Sequence, residues 1–137
     1  MSFICCCNVG MPQQIRIQDR YGEKLFYIDG NTVRSVDKYG EKLWCFDGMY
    51  VHNVDKYGEK LFYIEGNTVR FANKYGEKLL YFDGNTIRHQ DKYGEKLYTL
   101  DQNTLRYKDK YGDKILYFET YPPHWIVATM ILLYAGI

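Results

Sequence analysis

The chain has 137 residues, enough for one domain around a single core. Its 18 Lys and Arg against 17 Asp and Glu leave a net charge of +1, which argues against a protein held to nucleic acid by a broad basic field. Apolar residues at 46% are too many for a disordered polar chain. Aromatics reach 18% with 15 tyrosines, and alanine occurs only at 72, 128 and 135, a mix that favours strands over helices.

Residues 1–13 lie outside any pattern and are expected to form a flexible extension. Their one distinctive feature is Cys5-Cys6-Cys7. Adjacent cysteines lack the spacing of a zinc site, and His52, His89 and His124 are not placed to complete one. Cys5, Cys6 and Cys7 are instead candidates for acylation. The four residues before Cys5 are too short for a secretory signal, so a reducing cytoplasm is the expected compartment.

From Asp19 onward one unit recurs every 18 residues, first as Asp-Arg-Tyr-Gly-Glu-Lys-Leu-Phe-Tyr-Ile-Asp-Gly-Asn-Thr-Val-Arg. It restarts at Asp37, Asp55, Asn73, Asp91 and Asp109, and the last copy stops at Phe118. Residues 14–18 match the second half of a unit. Pro12, Pro122 and Pro123 bracket the array, so its interior keeps every backbone donor.

Each unit contains two short strands. Lys24 to Ile28 is an aromatic and aliphatic run, and Asp29-Gly30-Asn31 tolerates positive φ, which marks a hairpin. Thr32 to Val36 returns. Asp37-Lys38-Tyr39-Gly40 then has the Asp-first, Gly-fourth pattern of a type I turn, with Gly also able to form a bulge. Both linkers are too short for a parallel crossover, so the pairing is antiparallel. One lead strand (14–18), ten strands from five hairpins, and a final strand (114–118) make twelve. An even number lets the first and last strands pair and close a barrel without exposed edges.

The period of two assigns the faces. Phe26, Ile28 and Val33 and their counterparts, from Ile15 and Ile17 to Leu116 and Phe118, are apolar and point inward. Leu25, Tyr27, Thr32 and Arg34 point outward, with Tyr27 beside Arg34 for a cation–π contact and the turn tyrosine expected to fold over Leu25. A twelve-stranded barrel has a backbone radius of roughly 12 Å and leaves a central hole about as wide as a helix. Residues 119–137 supply the plug. Trp125 to Ile137 carries no charge and is apolar on all sides, as a fully buried helix requires. It is shorter than the ~20 residues that span a bilayer. The expected fold is all-β: a closed twelve-stranded antiparallel barrel of hairpin repeats (14–118) with a C-terminal hydrophobic helix through it.

The Gly22-Glu-Lys-Leu-Phe-Tyr-Ile-Asp-Gly-Asn-Thr-Val-Arg34 unit and its repeats resemble those of the β-flower proteins, small symmetric barrels of mostly unassigned function. A barrel closed around a hydrophobic C-terminal helix also resembles the architecture of tubby C-terminal domains and phospholipid scramblases. That likeness implies a phospholipid-binding module. Tubby domains bind phosphoinositides in a cationic pocket for which this chain has no matching residue pattern, and scramblases carry acylated cysteine clusters. Aromatic hairpin repeats also look like those of choline-binding and toxin proteins, which implies carbohydrate or cell-wall binding. Those proteins depend on repeated Trp or Tyr pockets, whereas this array holds one Trp.

The turns alternate between two rims. One gathers Tyr21, Tyr39, Tyr57, Tyr75, Tyr93 and Tyr111 among Lys, Asp and Glu, candidates for rim contact with a membrane headgroup layer. The other gathers Asp29, Asp47, Glu65, Asp83, Asp101 and Glu119, too widely spread to converge on one metal ion. The only serines are Ser2 and Ser35, and no phosphate loop or metalloprotease helix is present. Repeat columns place like residues around a ring, whereas catalysis needs unlike groups at one point. The expected function is therefore a non-enzymatic, monomeric binding or scaffold module. It has no catalytic residues, metal or cofactor, and its partner is a membrane lipid or another protein. The second unit is distinct in holding Trp44, Cys45, Met49, Tyr50 and His52 together.

Overall fold

The computed structural model describes residues 12–136. It contains twelve strands: β1 (Gln13–Ile17), β2 (Lys24–Asp29), β3 (Thr32–Ser35), β4 (Lys42–Phe46), β5 (Tyr50–Asn53), β6 (Lys60–Glu65), β7 (Thr68–Phe71), β8 (Lys78–Asp83), β9 (Thr86–His89), β10 (Lys96–Asp101), β11 (Thr104–Tyr107) and β12 (Lys114–Phe118). Each pairs antiparallel with its chain neighbours, and β1 pairs with β12, so the barrel is closed. The seam aligns Ile15 with Phe118 and Ile17 with Leu116. Two buried glutamines fasten it. The Gln14 backbone N–H donates to Glu119 Oε1 at 2.7 Å, and its side-chain amide donates to the carbonyls of Phe26 and Val36. Gln13 Oε1 accepts the Thr120 N–H at 3.2 Å. The lead strand starts at Gln13, one residue ahead of the expected start.

Four hairpins close through two-residue loops, pairing Asp29 with Thr32, Glu65 with Thr68, Asp83 with Thr86 and Asp101 with Thr104. The first loop residue alone has positive φ: Gly30 at 63°, Gly66 at 60°, Gly84 at 61° and Gln102 at 60°. This is the type II′ pattern, which matches the strand twist. In the other turns the Gly40 N–H donates to the Asp37 carbonyl at 2.8 Å, and Asp37 Oδ1 accepts the Tyr39 N–H at 2.9 Å. Glycine is required there by contact, since a Cβ on Gly40 would lie 1.6 Å from the Ser35 carbonyl oxygen. The left-handed residue is the one before the Asp, with Val36 at 62°, which ends the return strand at Ser35 rather than Val36.

A bulge recurs wherever one repeat meets the next. Val33 faces Trp44 and Arg34 faces Lys42, so Leu43 is passed over. Leu25, Leu61, Leu79, Leu97 and Ile115 are passed over in the same way. A bulge interrupts the alternation and re-aims its side chain. These six residues accordingly pack, half-buried, against the core. The turn tyrosines do not cover them, being 80 to 85% exposed. The expected outward leucine is an inward-leaning one.

The bore is filled by the C-terminal segment. α1 (His124–Met130) leads into a π-helical turn, Ile131–Ala135. Trp125 to Ile131 are all buried, and all but Thr129 form one hydrophobic cluster with the inward columns of the strands. His124 stacks on Phe82 at 4.1 Å and Trp125 on Phe46 at 5.0 Å, both beside the carboxylate rim. At the opposite end Tyr134 meets Phe26 edge-on at 5.6 Å, and the Tyr98 hydroxyl donates to the Gly136 carbonyl. The helix therefore runs through the barrel from rim to rim. Buried Thr129 is tolerated because its hydroxyl donates to the Trp125 carbonyl at 2.6 Å. Burial does not extend to the end of the segment. Leu133 and Tyr134 emerge at the tyrosine rim, where the wall no longer surrounds them.

Candidate functional site at the tyrosine rim

Six turns place Tyr21, Tyr39, Tyr57, Tyr75, Tyr93 and Tyr111 on one end of the barrel. Each ring lies beneath the cation of the residue before it, from Arg20 over Tyr21 at 5.0 Å to Lys110 over Tyr111 at 5.4 Å. The local cause is the turn begun by Asp, or by Asn73 in the fourth, whose side-chain oxygen fixes the backbone and holds both side chains outside the wall. Glu23 and Lys24 and their repeats balance the charge, so the rim presents aromatic surface rather than a net field. Phe71, Leu133 and Tyr134 are exposed at the same end. A groove of about 470 Å³ between adjacent turns is lined by Leu97, Tyr107, Lys108, Tyr111 and Asp113 among others.

The outer wall braces these turns. Arg16, Arg34, Arg70, Arg88 and Arg106 each donate from Nη1 to the carbonyl of the turn glycine six residues on, at 2.9 to 3.1 Å. Arg34, Arg88 and Arg106 also pair through Nε with Asp29, Asp83 and Asp101 at the opposite rim. The expected cation–π contact of Tyr27 with Arg34 is replaced by these bonds, although the two residues are opposite in register. Arg34, Arg88 and Arg106 are thus struts between the rims, while Arg16 and Arg70 brace the tyrosine rim alone.

The second unit uses His52 for the same purpose. Its Nδ1 lies 2.8 Å from the Gly58 carbonyl and its Nε2 lies 2.7 Å from Asp47 Oδ2, with the residue 4% exposed. Burial opposes its charge, but the carbonyl and the carboxylate together raise its pKa above the ordinary histidine value. Burial likewise opposes ionisation of Asp47, yet the Tyr50 and Met49 amides and His52 hold its pKa below the usual range. The sequence singled out this unit but not the bond. The available signal was a histidine in a column that is arginine in every other repeat.

Other candidate groups are engaged structurally. Burial pushes the Cys45 thiol up, which keeps it protonated and poorly nucleophilic. The Ser35 hydroxyl accepts the Glu41 N–H at 3.2 Å. Among the described residues no group of three or more His, Cys, Asp or Glu is arranged to hold a metal ion. No helix among them is long and apolar enough to cross a membrane. Cys5, Cys6 and Cys7 lie outside the described residues. In comparison with known proteins the chain matches no family model, no curated protein and no solved structure.

Proposed function

We propose that the chain is a non-enzymatic β-barrel binding or scaffold module that meets its partner with the tyrosine rim. One observation carries this reading: six aromatic rings are 80 to 85% exposed on a single end of a closed barrel. They stand outside the core cluster, so folding alone does not account for them. The wall beneath is rigid in construction, with a strut to every turn glycine from Gly22 to Gly112. A repeated exposed group on a braced frame suits recognition. Replacing all six tyrosines with serine tests it. Made one at a time, each replacement should leave the midpoint of thermal unfolding nearly unchanged, because an exposed site away from core features typically shifts stability by no more than about 0.5 kcal/mol. A large loss of stability would make the rim structural and remove the argument.

A second reading, a peripheral phospholipid-binding module, is favoured by the exposed Phe71, Leu133 and Tyr134 among the tyrosine–cation pairs. Amphipathic aromatics and cations suit the headgroup layer. Vesicles of phosphatidylserine and phosphatidylcholine should then sediment the protein at low salt and less of it at high salt. Absence of sedimentation at low salt would dispose of the lipid reading while leaving the protein-binding one.

A further inference from the structure

We propose that His52 is a proton-dependent latch, which makes the second hairpin the place in the described wall where the side chain bracing the turn glycine can itself lose its proton. The other five repeats brace the turn glycine with an arginine, which keeps its charge at every accessible pH. His52 reaches the same carbonyl position, on Gly58, and also reaches Asp47, using both ring nitrogens against two acceptors. A neutral imidazole has a single N–H and can serve only one of them. With the proton gone, one nitrogen lone pair faces either the carbonyl or the carboxylate at under 3 Å, and that contact turns repulsive. The ring cannot turn to water instead, because the residue is 4% exposed.

The surroundings favour the imidazolium. On β4, Asp47 accepts from the ring, and Cys45, the residue opposite His52, holds a protonated thiol. On β6, Lys60 is the residue opposite His52, but its ammonium lies over the Tyr50 ring at 4.2 Å. Tyr50, on the same strand as His52, meets the imidazole edge-on at 6.3 Å and packs against Tyr63 of β6 at 5.1 Å. Asp47 also accepts the Met49 and Tyr50 amides, so it organises the loop that joins β4 to β5. Releasing His52 from Asp47 loosens the loop where this repeat already departs from the two-residue turn of the others. The latch is closed below the ordinary histidine pKa of 6.5 and opens as pH rises through the elevated native value.

The test is proton NMR of the three imidazoles in the full chain, combined with urea unfolding across about pH 6 to 9 for wild type, His52→Arg and Asp47→Asn. In wild type the His52 resonances should titrate above those of His124, whose pKa is lowered by burial. The unfolding constant of wild type relative to His52→Arg should rise severalfold with pH, since each unit of pKa elevation is about a tenfold change. Should His52→Arg fail to fold, Asp47→Asn serves the same end: the His52 midpoint should drop and the relative pH slope should flatten. A His52 midpoint at or below 6.5, or the same pH slope in the variants as in wild type, would overturn the latch.

Discussion

The wall and the lining of the barrel are cut from the same repeats, yet they vary differently. On the outside Tyr39, Gly40 and their counterparts are the same in all six turns, and the strut column is arginine in five places. On the inside one column runs Phe26, Trp44, Phe62, Leu80, Tyr98 and Leu116, and another Ile28, Phe46, Ile64, Phe82, Leu100 and Phe118. The reason is geometric. A ring of hairpins has near-sixfold symmetry, whereas a single α-helix has none, so equivalent positions meet different surfaces of the plug. Close packing against an asymmetric helix requires inner residues of unequal volume. Variation in the lining thus records the helix, and constancy on the outside records the turn.

This contrast can be broken by substitution. Trp125→Ala removes the largest fully buried side chain of the plug and should cost about 3–5 kcal/mol in urea unfolding. Next come paired lining changes. Phe46→Ala, which strips the residue stacked on Trp125, should cost clearly more than Ile64→Ala in the same column, where the side chain is only half-buried. Equal costs would mean that the plug does not distinguish the repeats. Wall changes should behave in the opposite way. Gly40→Ala, Gly76→Ala and Gly94→Ala all drive a Cβ to within 1.6 to 1.7 Å of a carbonyl oxygen, so they should lose similar amounts, on the order of 2 kcal/mol each. The smallest effect is a gain. Gln102 occupies the positive-φ loop position that is glycine in the other two-residue loops, and Gln102→Gly should stabilise by about 0.5–1 kcal/mol.

The wall was the legible part of the sequence. Period-two alternation in Phe26, Ile28 and Val33, the Asp-Gly loops and the even strand count lead directly to twelve antiparallel strands and a closed seam. The uncharged segment from Trp125 points to the bore because a barrel of that radius needs filling. Less visible was the fate of Leu25 and its counterparts, since a bulge is a property of two strands in register rather than of one strand's pattern. The positive φ of Val36 was also hidden, because glycine four residues later draws attention while serving a purely steric need. At the candidate site the ring of tyrosines could be read from spacing alone. The struts could not, since the six-residue reach from Arg34 to Gly40 exists only once the bulge has brought strand and turn together. His52 illustrates the same limit: its column was visible, its two acceptors were not.

The occupied bore is tested most directly by comparing the full chain with one lacking residues 120–137. Thermal unfolding and binding of a hydrophobic dye should be followed on both. The truncated chain should lose its cooperative transition and light up the dye at temperatures where the full chain is folded. A truncated chain that melts cooperatively at the same midpoint and leaves the dye dark would contradict a barrel built around its own C-terminal helix.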